Sequence, residues 1–105
     1  MAQELNGKKV AILVAEGFEQ VEMTQPRQAL QEAGAQTHLI SPKGGQVQGW
    51  NHYEKGDSFP VDKTLDEAKP EDYDALMLPG GVANPDQLRT QPKAIEFVKS
   101  FFQDD

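Results

Sequence analysis

Glu19 and Glu22 stand three residues apart, just after an apolar run, and Pro79-Gly80-Gly81 follows a second apolar run. On a helical turn that spacing puts both carboxylates on one face. A carboxylate so placed can hold or activate a thiol, or position a substrate. Acids in a first helical turn also simply suit the helix dipole, so the pair alone leaves both accounts open. Glycines directly after a strand adopt backbone angles that other residues avoid. They leave N–H groups uncovered, and such groups can stabilise an oxyanion; the same residues also serve as a plain tight turn. Asp86 precedes Arg89 at helical spacing, a pattern for a surface ion pair worth little. His38 and His52 are the only histidines. His38 alternates within a strand, as a structural or solvent-facing residue. His52, beside Trp50 and Tyr53, either lines a cleft with them or joins them in a surface cluster. The chain has no cysteine, so disulfides, Cys-based zinc sites and a thiol nucleophile of its own are excluded. No metal site is expected. Neither a Walker loop nor a G-x-G-x-x-G run is present, so no nucleotide cofactor is expected either.

The elements that position these groups follow from hydrophobic patterning. Lys9–Ala15 is a continuous run of strand formers, the mark of a strand buried on both faces of a parallel sheet. A turn at Glu16–Glu19 leads into a helix ending near Ala33. Thr24 is its expected N-cap, Pro26 is expected in its first turn, and Gly34 suits the position after its end. Ala29, Leu30 and Ala33 supply its apolar stripe. Gln36–Ser41 reads as a second strand, which completes a right-handed βαβ unit. Residues 42–60 are broken by Gly and Pro and predict short antiparallel strands at Gln46–Trp50 and Ser58–Val61. Thr64 can cap a short turn through Ala68, and residues 69–72 form a loop. Ala75–Leu78 is a third buried strand. A final helix follows, capped by Thr90, with Ala94, Ile95, Val98, Phe101 and Phe102 on one face. Strands alternating with helices predict an α/β fold, a doubly wound parallel sheet with helices on both faces. Ligands in such sheets bind beyond the carboxyl ends of the strands. Glu16–Glu22 and Pro79–Asp86 both fall at that edge.

Composition narrows the partners. The chain has 105 residues, room for one domain, with residues 1–8 read as a loose N-terminus and 9–105 as the folded part. Its net charge is −7, which disfavours nucleic acid and anionic membrane surfaces. No apolar run approaches the roughly 18 residues of a membrane span, and the N-terminus lacks a signal pattern; a cytoplasmic protein is expected. Mean hydropathy is −0.64, polar for a compact domain.

Taken together, several segments resemble the PfpI family of the ThiJ/PfpI superfamily, within the class I glutamine amidotransferase-like, flavodoxin-like fold. They are Val10–Val14, Gly17–Glu22, Pro26 with Leu30–Gly34, Tyr73–Gly81 and Asn84–Arg89. The resemblance implies a reactive cysteine, usually followed by histidine, on a strand-to-helix elbow shortly after the last helix. It implies that Glu22 hydrogen-bonds that cysteine and tunes its thiolate, and that the Gly81 N–H contributes to an oxyanion hole. Asp86 would reach the histidine of a neighbouring subunit in a dimer or larger homo-oligomer, although the family residue there is often glutamate. Glu19, Gly80 and His52 are further candidates for contacting substrate. The segment around Trp50–Gly56 is longer than the simplest members need, so substrate access is expected to differ. The elbow itself is absent. The expectation is therefore the incomplete N-terminal half of a larger domain, inactive alone because no thiolate means no covalent step.

For the complete protein the resemblance implies a cysteine-dependent stress-response hydrolase of intracellular peptidase, deglycase or glyoxalase type, acting on peptides or small aldehydes without a cofactor. The alternative is a non-catalytic chaperone-like or oligomerisation module of the same fold. A flavodoxin-like or receiver-like module fits the strand order but lacks the phosphate loop of the former and the paired aspartates of the latter.

Overall fold

β1 (Lys9–Leu13) lies inside a parallel sheet and is the most deeply buried strand of the molecule. Ala11, Ile12 and Leu13, with Val14 beyond the strand, have no exposed surface. The structure is a computed structural model describing residues 5–15, 18–79 and 92–101. β1 side chains alternate between two cores, as a two-residue strand period requires. Ala11, Leu13 and Ala15 pack with Ile40, Leu65, Tyr73 and Phe97 on one face. Val10, Ile12 and Val14 pack with Phe18, Met23, Leu39 and Val47 on the other. Burying each large aliphatic side chain contributes about 1.5–3 kcal/mol, so the run Lys9–Ala15 specifies the centre of the fold.

β1 is followed by β2 (Phe18–Glu19), α1 (Gln20–Glu32) and β3 (Gln36–Ser41). A hairpin comes next, β4 (Gln46–Asn51) and β5 (Glu54–Pro60), then β6 (Lys63–Thr64), a 3₁₀ turn at Pro70–Asp72, β7 (Ala75–Met77) and α2 (Pro92–Ser100). Among the described residues the main sheet has four strands in the order β6-β3-β1-β7, and each of these pairings is parallel. The doubly wound α/β expectation is met, with one strand more than predicted: Lys63 and Thr64 pair with Ile40 and Ser41. The broken segment 42–60 holds the predicted antiparallel pair, with β4 running on to Asn51 and β5 starting earlier, at Glu54, and ending at Pro60 rather than Val61. It joins β2 in a second, three-stranded sheet in the order β2-β4-β5.

α1 departs from expectation at its start. It begins at Gln20 with Glu19 as N-cap, so Thr24 is inside the helix and Pro26 is in its body rather than its first turn. The reason is tertiary. Phe18 is fully buried and pairs with Gly49 of β4, which directs the chain into the helix four residues before the local cap signal. Pro26 lacks the N–H that would reach the Glu22 carbonyl. Met23 is the buried anchor of α1, and Ala29 is exposed. The helix ends at Glu32 with Ala33 as its C-cap, and Gly34 follows the cap as predicted, with φ +98°. The Gly34 N–H donates to the Gln31 carbonyl at 3.0 Å and the Ala35 N–H to the Leu30 carbonyl at 2.9 Å, the two bonds of a Schellman motif.

α2 carries its stripe on Ala94, Phe97, Val98 and Phe101. Phe97 is buried, and Ile95, expected on that face, is exposed. The positions 94, 97, 98 and 101 follow the helical 0, 3, 4, 7 spacing, whereas 95 lies about 100° further round. Thr90 and Phe102 lie outside the described residues. β7 also differs from a buried strand: Ala75 is exposed, Leu76 and Met77 are half-buried, and Leu78 beyond it is exposed. No helix among the described residues is long and apolar enough to cross a membrane.

Candidate functional site at the strand-order reversal

The main sheet grows in one direction from β1 to β3 to β6, and β7 then returns to the opposite side of β1. In sheets of this kind ligands bind beyond the carboxyl ends of the strands at such a reversal. Val14 and Ala15 leave β1 there, followed by the β2–α1 junction; Leu78 and Pro79 leave β7 there. The topology thus brings the segment carrying Glu19 and Glu22 and the Leu78-Pro79 segment to the same sheet edge. Gly80, Gly81 and Asp86 lie outside the described residues.

Glu19 and Glu22 have different surroundings despite their spacing. The Glu19 side chain is only 19% exposed. Its Oε2 accepts the backbone N–H of His52 at 3.0 Å and lies 4.0 Å from the His52 Nδ1. Glu22 is exposed in the first turn of α1, and its side chain has no hydrogen bond or ion pair among the described residues. Among the described residues, then, the hairpin holds one acid and not the other.

His52 occupies the hairpin turn with φ +61°, a backbone conformation uncommon for a residue with a Cβ. Its side chain is 89% exposed and so does not line an enclosed cleft. Tyr53 is 96% exposed, while Trp50 is half-buried beside Glu19 in the parallel β2–β4 pairing. His38 is structural: its Nδ1 shares a 2.8 Å hydrogen bond with the Tyr73 hydroxyl, and the rings meet edge-on. Burial raises the Tyr73 pKa above its ordinary value, and the negative charges of Asp72 and Asp62 add to the effect. No cluster of three metal-ligating side chains occurs among the described residues.

Residue patterns alone missed Gln20, Gly49, Gly56 and Asp57, which join the hairpin to the acidic turn. Gly49 approaches so closely that a Cβ there would meet Gln20 Cβ, Phe18 Cζ and Phe59 Cε2, each at 3.2 Å. A glycine in a strand interior is a recognised sign of such close approach; nothing in the pattern marked Gln20.

Comparison with known proteins agrees with this geometry. An uncharacterised protein of Staphylococcus epidermidis is 40% identical over 100 residues, which is 93% of this chain and 56% of that protein. A two-domain Anabaena variabilis protein with DJ-1/ThiJ/PfpI-like and ferritin-like domains superposes with a TM-score of 0.79 at 31% identity, covering 89% of this chain and 26% of that one. A cysteine-to-alanine variant of a DJ-1 superfamily protein from Salmonella typhimurium gives 0.77 at 29% identity, covering 89% of this chain and 49% of that one. The chain thus spans little more than half the length of its curated relatives. The DJ-1/PfpI family model matches residues 8–105, a range that includes Glu19, Glu22, Gly80, Gly81 and Asp86, and the chain belongs to that family.

Proposed function

We propose that these residues are the acid- and oxyanion-bearing part of a PfpI-type cysteine-dependent hydrolase. The observation that carries this reading is the placement of the acidic turn directly after β1 at the strand-order reversal, in a chain of this family. The chain has no cysteine, so in this reading the thiolate comes from outside these 105 residues. Its sulfur electron pair forms a bond to a carbonyl carbon while the C=O π pair moves onto oxygen. The Gly81 N–H stabilises the resulting oxyanion. Glu22 hydrogen-bonds the thiol, and the pair holds one proton between them, because a carboxylate and a thiolate side by side repel. That Glu22 is exposed and unengaged among the described residues supports its being the acid that accepts such a partner. Substrates are peptides, methylglyoxal-modified groups or small aldehydes, met in the cytoplasm. Asp86 assists from a neighbouring subunit of a homo-oligomer, and Gly80 and His52 border the substrate.

The test joins residues 1–105 to the portion of the Staphylococcus epidermidis relative beyond the matched segment and assays thiol-dependent turnover of these three substrate classes. Glu22→Gln is expected to lower turnover about tenfold or more. A folded chimera with no alkylation-sensitive turnover, or with equal turnover in Glu22→Gln, rejects the reading. The second reading, a non-catalytic chaperone-like or oligomerisation module of the same fold, predicts that inert outcome.

A further inference from the structure

The hairpin β4–β5 is bound to the acidic turn by two consecutive residues. Glu19 takes the backbone N–H of His52 at the hairpin tip. Gln20, the first residue of α1, takes Asp57 by both its groups. The Asp57 N–H donates to Gln20 Oε1 at 2.7 Å, and Gln20 Nε2 donates to Asp57 Oδ2 at 3.1 Å. This reciprocal pair sits where the β4–β5 register shifts between Gln48 and Trp50. Gln48 closes the same irregularity from the other strand, its Nε2 donating to the Gly49 carbonyl at 2.7 Å and the Gly56 carbonyl at 2.9 Å. A Cβ at Gly56 would collide with Gln20 Oε1, so glycine there is what admits the carboxamide. At Gly49 a Cβ would press on the Gln20 stem. Two glycines, a bulge and an aspartate therefore form a seat shaped for one glutamine.

We propose that Gln20 is a positioning residue of the candidate site. By gripping Asp57 it latches the hairpin to the first turn of α1, and the latch keeps the His52 amide on the Glu19 carboxylate. The hairpin tip with Trp50, His52 and Tyr53 and the helical turn carrying Glu22 then move as one body. This rests on the acidic turn being the site, but the latch itself needs neither nucleophile nor turnover. Glutamate at position 20 would keep an acceptor for the Asp57 N–H and set two carboxylates against each other. Asparagine at position 57 would then restore a donor and relieve the repulsion.

The experiment is native-state amide exchange by NMR on the full chain, for wild type, Gln20→Ala, Gln20→Glu and the double variant Gln20→Glu/Asp57→Asn. Single-site loss is expected to reduce protection of the residue-57 and His52 amides about tenfold, the scale of one lost hydrogen bond, with Ile12 and Leu39 unchanged. The double variant is expected to regain protection at both amides to within about threefold. Unchanged protection of Asp57 and His52 in Gln20→Glu overturns the proposal. So does equal loss of protection across β1 and β3, which would make Gln20 a general stability residue. If Gln20→Ala does not fold, the comparison of Gln20→Glu with its double variant decides. Because no step depends on catalysis, failure of the latch is separate from failure of the hydrolase reading.

Discussion

Single side chains in this protein take their roles from burial more than from spacing. Glu19 and Glu22 are indistinguishable as a sequence pair, yet Glu19 is engaged at the hairpin and Glu22 is exposed. Only the path of the hairpin separates them, and that path is set by residues 30 positions later. Tyr73 is a second case. Burial first, and Asp72 and Asp62 next, disfavour its phenolate. Its folded pKa is therefore above the ordinary tyrosine value of about 10. The neutral phenol stabilises the folded state fully below that ordinary value, and the contribution is lost as pH rises through the raised folded value. Wild type should show falling thermal stability above about pH 10, and Tyr73→Phe should lose this part of the slope. At neutral pH the same variant should cost about 1 kcal/mol through the lost hydrogen bond to His38. Melting curves from pH 7 to 11 check both, and parallel slopes in the two proteins would remove Tyr73 from the alkaline transition.

At the scale of elements, the clearest signals were those that local chemistry settles. Gly34 ends α1 because its φ of +98° suits a residue without a Cβ. Gly34→Ala is expected to destabilise the chain by about 1 kcal/mol, measured as a lower urea midpoint with unchanged slope. α1 starts directly after the turn ending at Glu19, and Thr24 is not its cap, because a tertiary contact, Phe18 against Gly49, outweighs the cap preference of Thr24. In α2 the apolar residues are dense enough to fit more than one stripe, and contact with Tyr73 selects the one through Phe97. Phe97→Ala should cost about 3 kcal/mol or more, whereas Ile95→Ala at its exposed position should cost under about 1 kcal/mol. Chemical denaturation of the two variants checks the contrast, and equal losses would mean that both positions contribute to the core.

For the whole molecule, the informative contrast is between β1 and β7. Both are apolar runs in a parallel sheet, but β1 is sealed on both faces while β7 pairs only with β1 among the described residues. The Asp74 N–H bonds the Lys9 carbonyl, so by strand alternation the amides of Ala75 and Met77 point to the outer edge. Beside them runs an apolar groove of about 510 Å³, lined by Leu5, Val10, Leu30, Ala75 and Met77, at the amino end of the sheet. The amides of Ala75 and Met77 should exchange at least tenfold faster than that of Ile12; equal protection would show that the edge is covered in solution. By itself the sequence determined the fold class, the strand-helix alternation and the sheet edge to which the acidic turn belongs, because continuous apolar runs and glycine stops are local and periodic. The tertiary structure alone decided that the Glu19 side chain is held by the hairpin while Glu22 is exposed, that Gln20 seats in the hairpin, and which face of α2 is inside. Those outcomes depend on contacts between residues far apart in the chain, and no local period encodes them.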